Sequence, residues 1–142
     1  MKKEIAKKWV SELRSGRWKQ GRDALCSIEE GDKCYCCLGV LTEIYNIEQI
    51  KKRKKKLITK EVQDRCHDGK DVIAYKSEED KWNEDTLPIE VMKWSGIIAE
   101  NGSLLDTDLD LDFDYESLAD MNDSGKSFNF IADIIEKHYD SL

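Results

Sequence analysis

Cys34, Cys36 and Cys37 lie within four residues of one another, with Cys26 shortly before them and Cys66-His67 further on. Thiols and imidazoles at such density invite two chemistries, metal binding and nucleophilic attack. Zinc takes four tetrahedral ligands, usually delivered as two CxxC-type pairs. Here the spacing is CxCC and no second close pair follows, so the sequence predicts packed thiols, no metal and no cofactor. Cys37 stands where a strand is expected to give way to a helix, and a helix N-terminus lowers a thiol pKa. A Cys37-dependent hydrolase would also need a base, and the chain offers only His67 and His138. Neither has a context that pairs it with Cys37, which leaves the hydrolase as a third reading and non-enzymatic function ahead of it.

Other segments carry binding chemistry. Asn122-Asp-Ser-Gly-Lys-Ser127 contains the GKS of a phosphate loop, yet a Walker A loop requires Gly where this chain has Asp120. What survives is a Gly-Lys-Ser turn opening a helix, with backbone N–H groups and a Lys for an anion. Read structurally, the same turn is an N-cap joining two helices. Trp18-Lys-Gln-Gly-Arg22 combines an aromatic face, an amide, two cations and a flexible Gly, suited to a planar ligand or to a half-exposed strand. Lys51–Lys56 reads KKRKKK, which attracts phosphate by charge alone but lacks interleaved aromatics to stack bases. Residues 105–115 alternate Leu, Phe and Tyr with Asp106, Asp108, Asp110, Asp112 and Asp114. The EF-hand pattern fails there, and an acidic edge strand, an exposed loop or a DNA-mimicking face remain open.

The elements that position these residues follow from periodicity. Ile5, Ala6, Trp9, Val10 and Leu13 make one side of a helix that Gly16 ends. Trp18–Ile28 and Lys33–Cys36 flank the turn-like Glu30-Gly31-Asp32 and predict a hairpin. Residues 37–45 read as a buried helix. Residues 47–86 are expected to be irregular, with a mobile basic loop at 51–56 and one strand at Val72–Tyr75. Pro88 opens a helix that Gly96 closes, Leu118–Met121 forms a short one, and Ser127 caps a last amphipathic helix through Tyr139. The expectation is a single α+β domain over 1–142, a short antiparallel sheet packed against about four helices.

Composition bounds the function class. The 142 residues carry 23 Lys+Arg and 30 Asp+Glu, a net charge of −7, with 39% hydrophobic residues. Charge is uneven: residues 1–60 hold 16 cations and 8 anions (+8), residues 61–142 hold 7 and 22 (−15). Twelve aromatic residues argue against disorder, because each buries a large area. No apolar run approaches the ~20 residues that span a bilayer, and the charged N-terminal stretch is unlike a secretory signal. The expected location is cytoplasmic, with reduced thiols.

The blocks Trp9-Val10, Leu13-Arg-Ser-Gly16, Gln20-Gly21, Cys36-Cys-Leu-Gly-Val-Leu41, Leu87-Pro88, Leu118, Asn122-Asp-x-Gly-x-Ser-Phe128 and Ile131-Ala-Asp-Ile-Ile135, in this order, resemble a family of small proteins of tailed bacteriophages and prophages. The basic tract and the Asp run lie outside the resemblance. It implies an accessory protein acting in the host bacterial cytoplasm, and supplies no catalytic residue. Such proteins often counter host defences by sequestering nucleotide signals or by binding a defence protein.

The leading expectation is therefore a non-catalytic sponge for a small anionic, nucleotide-like defence signal. Trp18 would stack, Gln20 and Asn122 would read an amide edge, Arg22, Lys126 and the N–H groups beyond Ser127 would hold the anion, and Asp123 a ribose hydroxyl. The runner-up is a protein–protein inhibitor that presents Asp106–Asp114 to a basic surface of a host protein. Neither a membrane nor nucleic acid itself is expected as a partner, and a homo-oligomer would supply extra pocket walls.

Overall fold

The computed structural model describes residues 1–63, 69–104 and 115–142. Helix α1 (Lys3–Arg14) buries Ile5, Ala6, Trp9, Val10 and Leu13, the stripe expected from the spacing. The hairpin follows as β1 (Cys26–Glu29) and β2 (Asp32–Tyr35). Glu30 and Gly31 join them with φ of 53° and 85°, the left-handed pair of a two-residue type I′ turn. The first strand is shorter than expected: Trp18–Leu25 forms no strand, and Gln20 makes only an isolated parallel bridge to Tyr35. Asp23, at φ 65°, turns the chain before it can pair regularly.

Helix α2 (Cys37–Lys51) is the buried centre, with Leu38, Val40 and Leu41 fully enclosed. Its N-cap is a thiol, Cys36 Sγ accepting from Gly39 N–H at 3.3 Å.

Residues 47–86, expected to be irregular, are largely ordered elements instead. After α2 come β3 (Ile58–Gln63), β4 (Asp71–Lys76) and the two-residue β5 (Trp82–Asn83). The basic tract straddles the last residue of α2 and the turn into β3, and every one of its residues is exposed. β3 escapes notice in the sequence because its Ile-Thr-Lys-Glu-Val-Gln is exposed almost throughout, so burial imposes no alternation. Its partner organises it: β3 pairs antiparallel with β4 from Ile58↔Lys76 to Gln63↔Asp71. The sheet runs β2-β1-β4-β3, antiparallel throughout, with β5 added to β4.

Helix α3 (Ile89–Ser95) has Pro88 at its N-cap and ends on Gly96 at φ 75°. Helix α4 (Leu118–Asp123) is capped by Ser117, and α5 (Phe128–His138) by Ser127, whose Oγ accepts from Phe130 N–H at 3.2 Å. A single 3-10 turn, Tyr139–Ser141, follows. Among the described residues, five helices and one sheet share a core that includes Trp9, Leu38, Leu41, Tyr75, Leu118 and Ile131. The α+β class and single small domain are as expected. The Asp106–Asp114 run and Cys66-His67 lie outside the described residues.

Candidate functional site

Three segments singled out in the sequence do converge: Gln20–Arg22, the start of α2, and Asn122–Ser127. Their hinge is Asn122, a fully buried side chain on α4. Its Oδ1 accepts from Cys37 N–H at 3.2 Å and from Gln20 Nε2 at 3.1 Å. Its Nδ2 donates to Gly21 C=O at 2.9 Å and to Asp123 Oδ1 at 3.1 Å. An amide offers two acceptor sites and two donors, and all four are taken. Gln20 Nε2 also donates to Lys126 C=O at 2.8 Å, and its Oε1 accepts from Phe128 N–H at 3.2 Å. Asp123 Oδ1 receives Asp23 N–H at 3.0 Å.

The geometry is that of a clasp rather than a pocket. Gln20 and Asn122, expected to read a ligand, spend their hydrogen bonds joining segments more than 100 residues apart. Asp123 completes the clasp, and Ser127 caps α5. Arg22 lies against Gly125, where a Cβ would come within 2.7 Å of Nη2. Lys126 Nζ sits 5.1 Å from the Phe130 ring centroid and 5.4 Å from that of Tyr115. Trp18 makes other contacts: its Nε1 donates to Glu12 at 2.9 Å and its ring meets Tyr35 edge-on at 5.1 Å. The amides of Gln20 and Asn122 here staple backbone, a task that asks for the same residue types as reading a ligand.

Cys37 is fully buried, its Sγ donating to Leu118 C=O at 3.4 Å. Burial pushes its thiol well above the ordinary range, outweighing the N–H groups of the helix start. The strand-to-helix junction is where the sequence placed it, but the thiol is enclosed by the core and burial favours its protonated form. Burial raises Cys36 to about 12 and Cys26 to about 11 from the ordinary 9.0. Among the described residues no group of three or more His, Cys, Asp or Glu is placed to hold a metal ion.

Two expectations follow for the thiols. Cys26, Cys34, Cys36 and Cys37, all free and buried, will react with Ellman's reagent only on unfolding. Their raised values also fix the sign of an alkaline effect. Above about pH 9 the unfolded chain releases thiol protons that the folded chain retains, so folding stability is intact below that pH and falls as pH climbs toward 11–12. Melting curves from pH 7 to 11 will show the decline.

A cavity lies elsewhere, between α1 and α5. It has a volume of about 750 Å³ and a floor that includes Ala6 and Val10. Around it stand Lys3, Lys7, Arg14, Ser11 and Tyr139, together with the carboxylate of Glu136. Helical spacing explains the stripe, since residues 3, 7, 11 and 14 recur at three- and four-residue steps beside the buried face. Arg14 is spoken for, donating to Asp133 at 2.5 Å and Glu136 at 2.7 Å. Lys3 and Lys7 have no ion-pair partner among the described residues, although the chain as a whole is acidic. Sequence reasoning missed this groove because two lysines on an amphipathic helix look like an ordinary solvated face.

The described residues thus define a small α+β domain of five helices and one antiparallel sheet, with buried thiols, a long-range amide clasp and a groove beside Lys3 and Lys7. The chain belongs to the family described as Domain of unknown function (DUF8296), whose family model matches residues 1–139. No curated protein and no solved structure matches it.

Proposed function

We propose that this protein is a phage accessory protein that binds and holds a small anionic, nucleotide-like ligand without turning it over, and that the ligand sits between α1 and α5 rather than at the clasp. The observation that carries this reading is the groove itself. Its volume of about 750 Å³ falls in the range of small-molecule sites. Lys3 and Lys7 make it locally cationic on a chain of net charge −7. A phosphate would meet these two ammonium groups, the Ser11 hydroxyl would accept or donate at its edge, and Tyr139 offers an aromatic face to a base. The phage setting and the counter-defence role rest on the sequence resemblance, which supplies the kind of signal to look for.

The test is native mass spectrometry of protein purified from bacteria with and without an active nucleotide-signalling defence system. The expected result is a bound mass of a few hundred daltons present only with the system and released intact on denaturation. Lys3→Ala with Lys7→Ala should lose about tenfold or more in affinity, as expected for removing two charge-assisted contacts of about 1 kcal/mol each or better. Both lysines are exposed, so folding should be unchanged. Empty protein in both preparations would overturn the reading.

A further inference from the structure

The basic tract acquires a new meaning from what surrounds it. Lys51, Lys52, Arg53, Lys54, Lys55 and Lys56 are exposed and none forms an ion pair among the described residues. Most nearby carboxylates are paired with other cations, Glu12 with Arg17, Glu48 with Lys8, Glu78 with Lys93 and Asp80 with Lys76, while Glu90, in the groove of Lys55, Lys56 and Ile58, has no cation partner among the described residues. Six like charges in succession repel one another, and among the described residues only Glu48, already paired with Lys8, is seen to offset Lys51 and Lys52 by charge.

The second observation is apolar. Four large hydrophobic side chains are exposed among the described residues, and three of them, Ile47, Ile50 and Ile58, flank this tract at 40%, 58% and 65% exposure. Ile47 shares a shallow groove with Lys7, Lys8 and Lys51, and Ile58 shares another with Lys55 and Lys56. Cations and bare aliphatic side chains thus follow one another along the exposed chain around the C-terminal end of α2 and the start of β3.

We propose that this surface docks on a lipid bilayer bearing anionic headgroups. Lysines near such a bilayer gain its negative surface potential, and isoleucine side chains gain by entering the headgroup–acyl boundary. Nucleic acid would use the same charge but would find no aromatic side chain within the tract to stack on, and aliphatic isoleucines add nothing to phosphate contacts. The three exposed isoleucines therefore decide for lipid. This docking is independent of the α1–α5 groove and leaves that groove's ligand unspecified.

Co-sedimentation with vesicles of phosphatidylcholine, with and without one-third phosphatidylglycerol, tests it. Binding is expected only to the anionic vesicles and should weaken as salt rises. Replacing Lys52, Lys54, Lys55 and Lys56 by Gln should cost about a hundredfold or more in partitioning. Replacing Ile47, Ile50 and Ile58 by Ser should cost about tenfold or more, which a charge-only surface would not show. All seven side chains are exposed, and melting temperatures will confirm that the variants fold. Three results would each overturn the proposal: no binding to anionic vesicles, full binding by the Ser variant, or tighter binding to duplex DNA than to the vesicles.

Discussion

Asn122→Leu should destabilise the protein by about 3–5 kcal/mol, because each buried polar group left without its partner costs about 1–3 kcal/mol. Leucine keeps the branching and heavy-atom count of asparagine but is bulkier, so some overpacking at this closed position adds to the loss. The change strands Cys37 N–H and Gly21 C=O and takes one acceptor from Gln20 Nε2, all at a fully buried position. Urea titration reads the effect as a fall in midpoint at constant slope, with no ligand present. A loss below about 1 kcal/mol would mean that water replaces the amide, and the clasp would lose its structural role. Asn122→Asp should fail as well: a carboxylate keeps the acceptor facing Cys37 N–H, but it would oppose both Gly21 C=O and the neighbouring Asp123 carboxylate.

Gly39→Ala is expected to be at least as severe, about 3 kcal/mol or more, and to leave little folded protein. A Cβ at this position would lie 1.7 Å from Leu25 O and 2.6 Å from Leu25 C. Both are backbone atoms, so no side chain can swing aside. The first turn of α2 would have to part from the chain entering β1, where Cys36 N–H donates to Leu25 C=O at 3.3 Å. Trp9 Nε1, which donates to Cys37 C=O at 2.9 Å, would lose its alignment with it. Gly16→Ala is the matching control. Nothing lies within 4 Å of its Cβ position, and only its φ of +71° opposes the change, at about 1 kcal/mol. Equal losses at the two glycines would show that helix–strand contact is not what Gly39 provides.

How much was legible depends on what each residue had to satisfy. α1 and α5 each bury one stripe, so their sequences carry the helical period openly. Glu30-Gly31 announced its turn because a type I′ geometry needs two left-handed residues in succession. β3 carried no such mark, since its two faces are both largely solvated and only β4 tells it to extend. Gly39 was equally silent: within Cys-Cys-Leu-Gly-Val-Leu it looks like a weak spot in a helix, and its reason lies in Leu25, across the hairpin. The clasp was half legible. Gln20 and Asn122 were placed together on the family resemblance, as amides to read a ligand, and in the structure they bond to each other and to Cys37, Gly21, Lys126 and Phe128.

The clasp also constrains the order in which the protein is made. The bond from Gln20 to Lys126 closes 106 residues of chain, and Arg14 reaches Asp133 across 119. Closing a loop of that length costs about 4 kcal/mol beyond a constant, before any contact repays it. While the ribosome is still producing the middle of the chain, Trp9, Cys37 and the rest of α2 therefore wait without α4 and α5 to cover them. A nascent chain emerging at about 5–20 residues per second would hold that surface open for several seconds. Translation pauses between β5 and α4 would lengthen this vulnerable interval, whereas pauses after α5 would leave it unchanged.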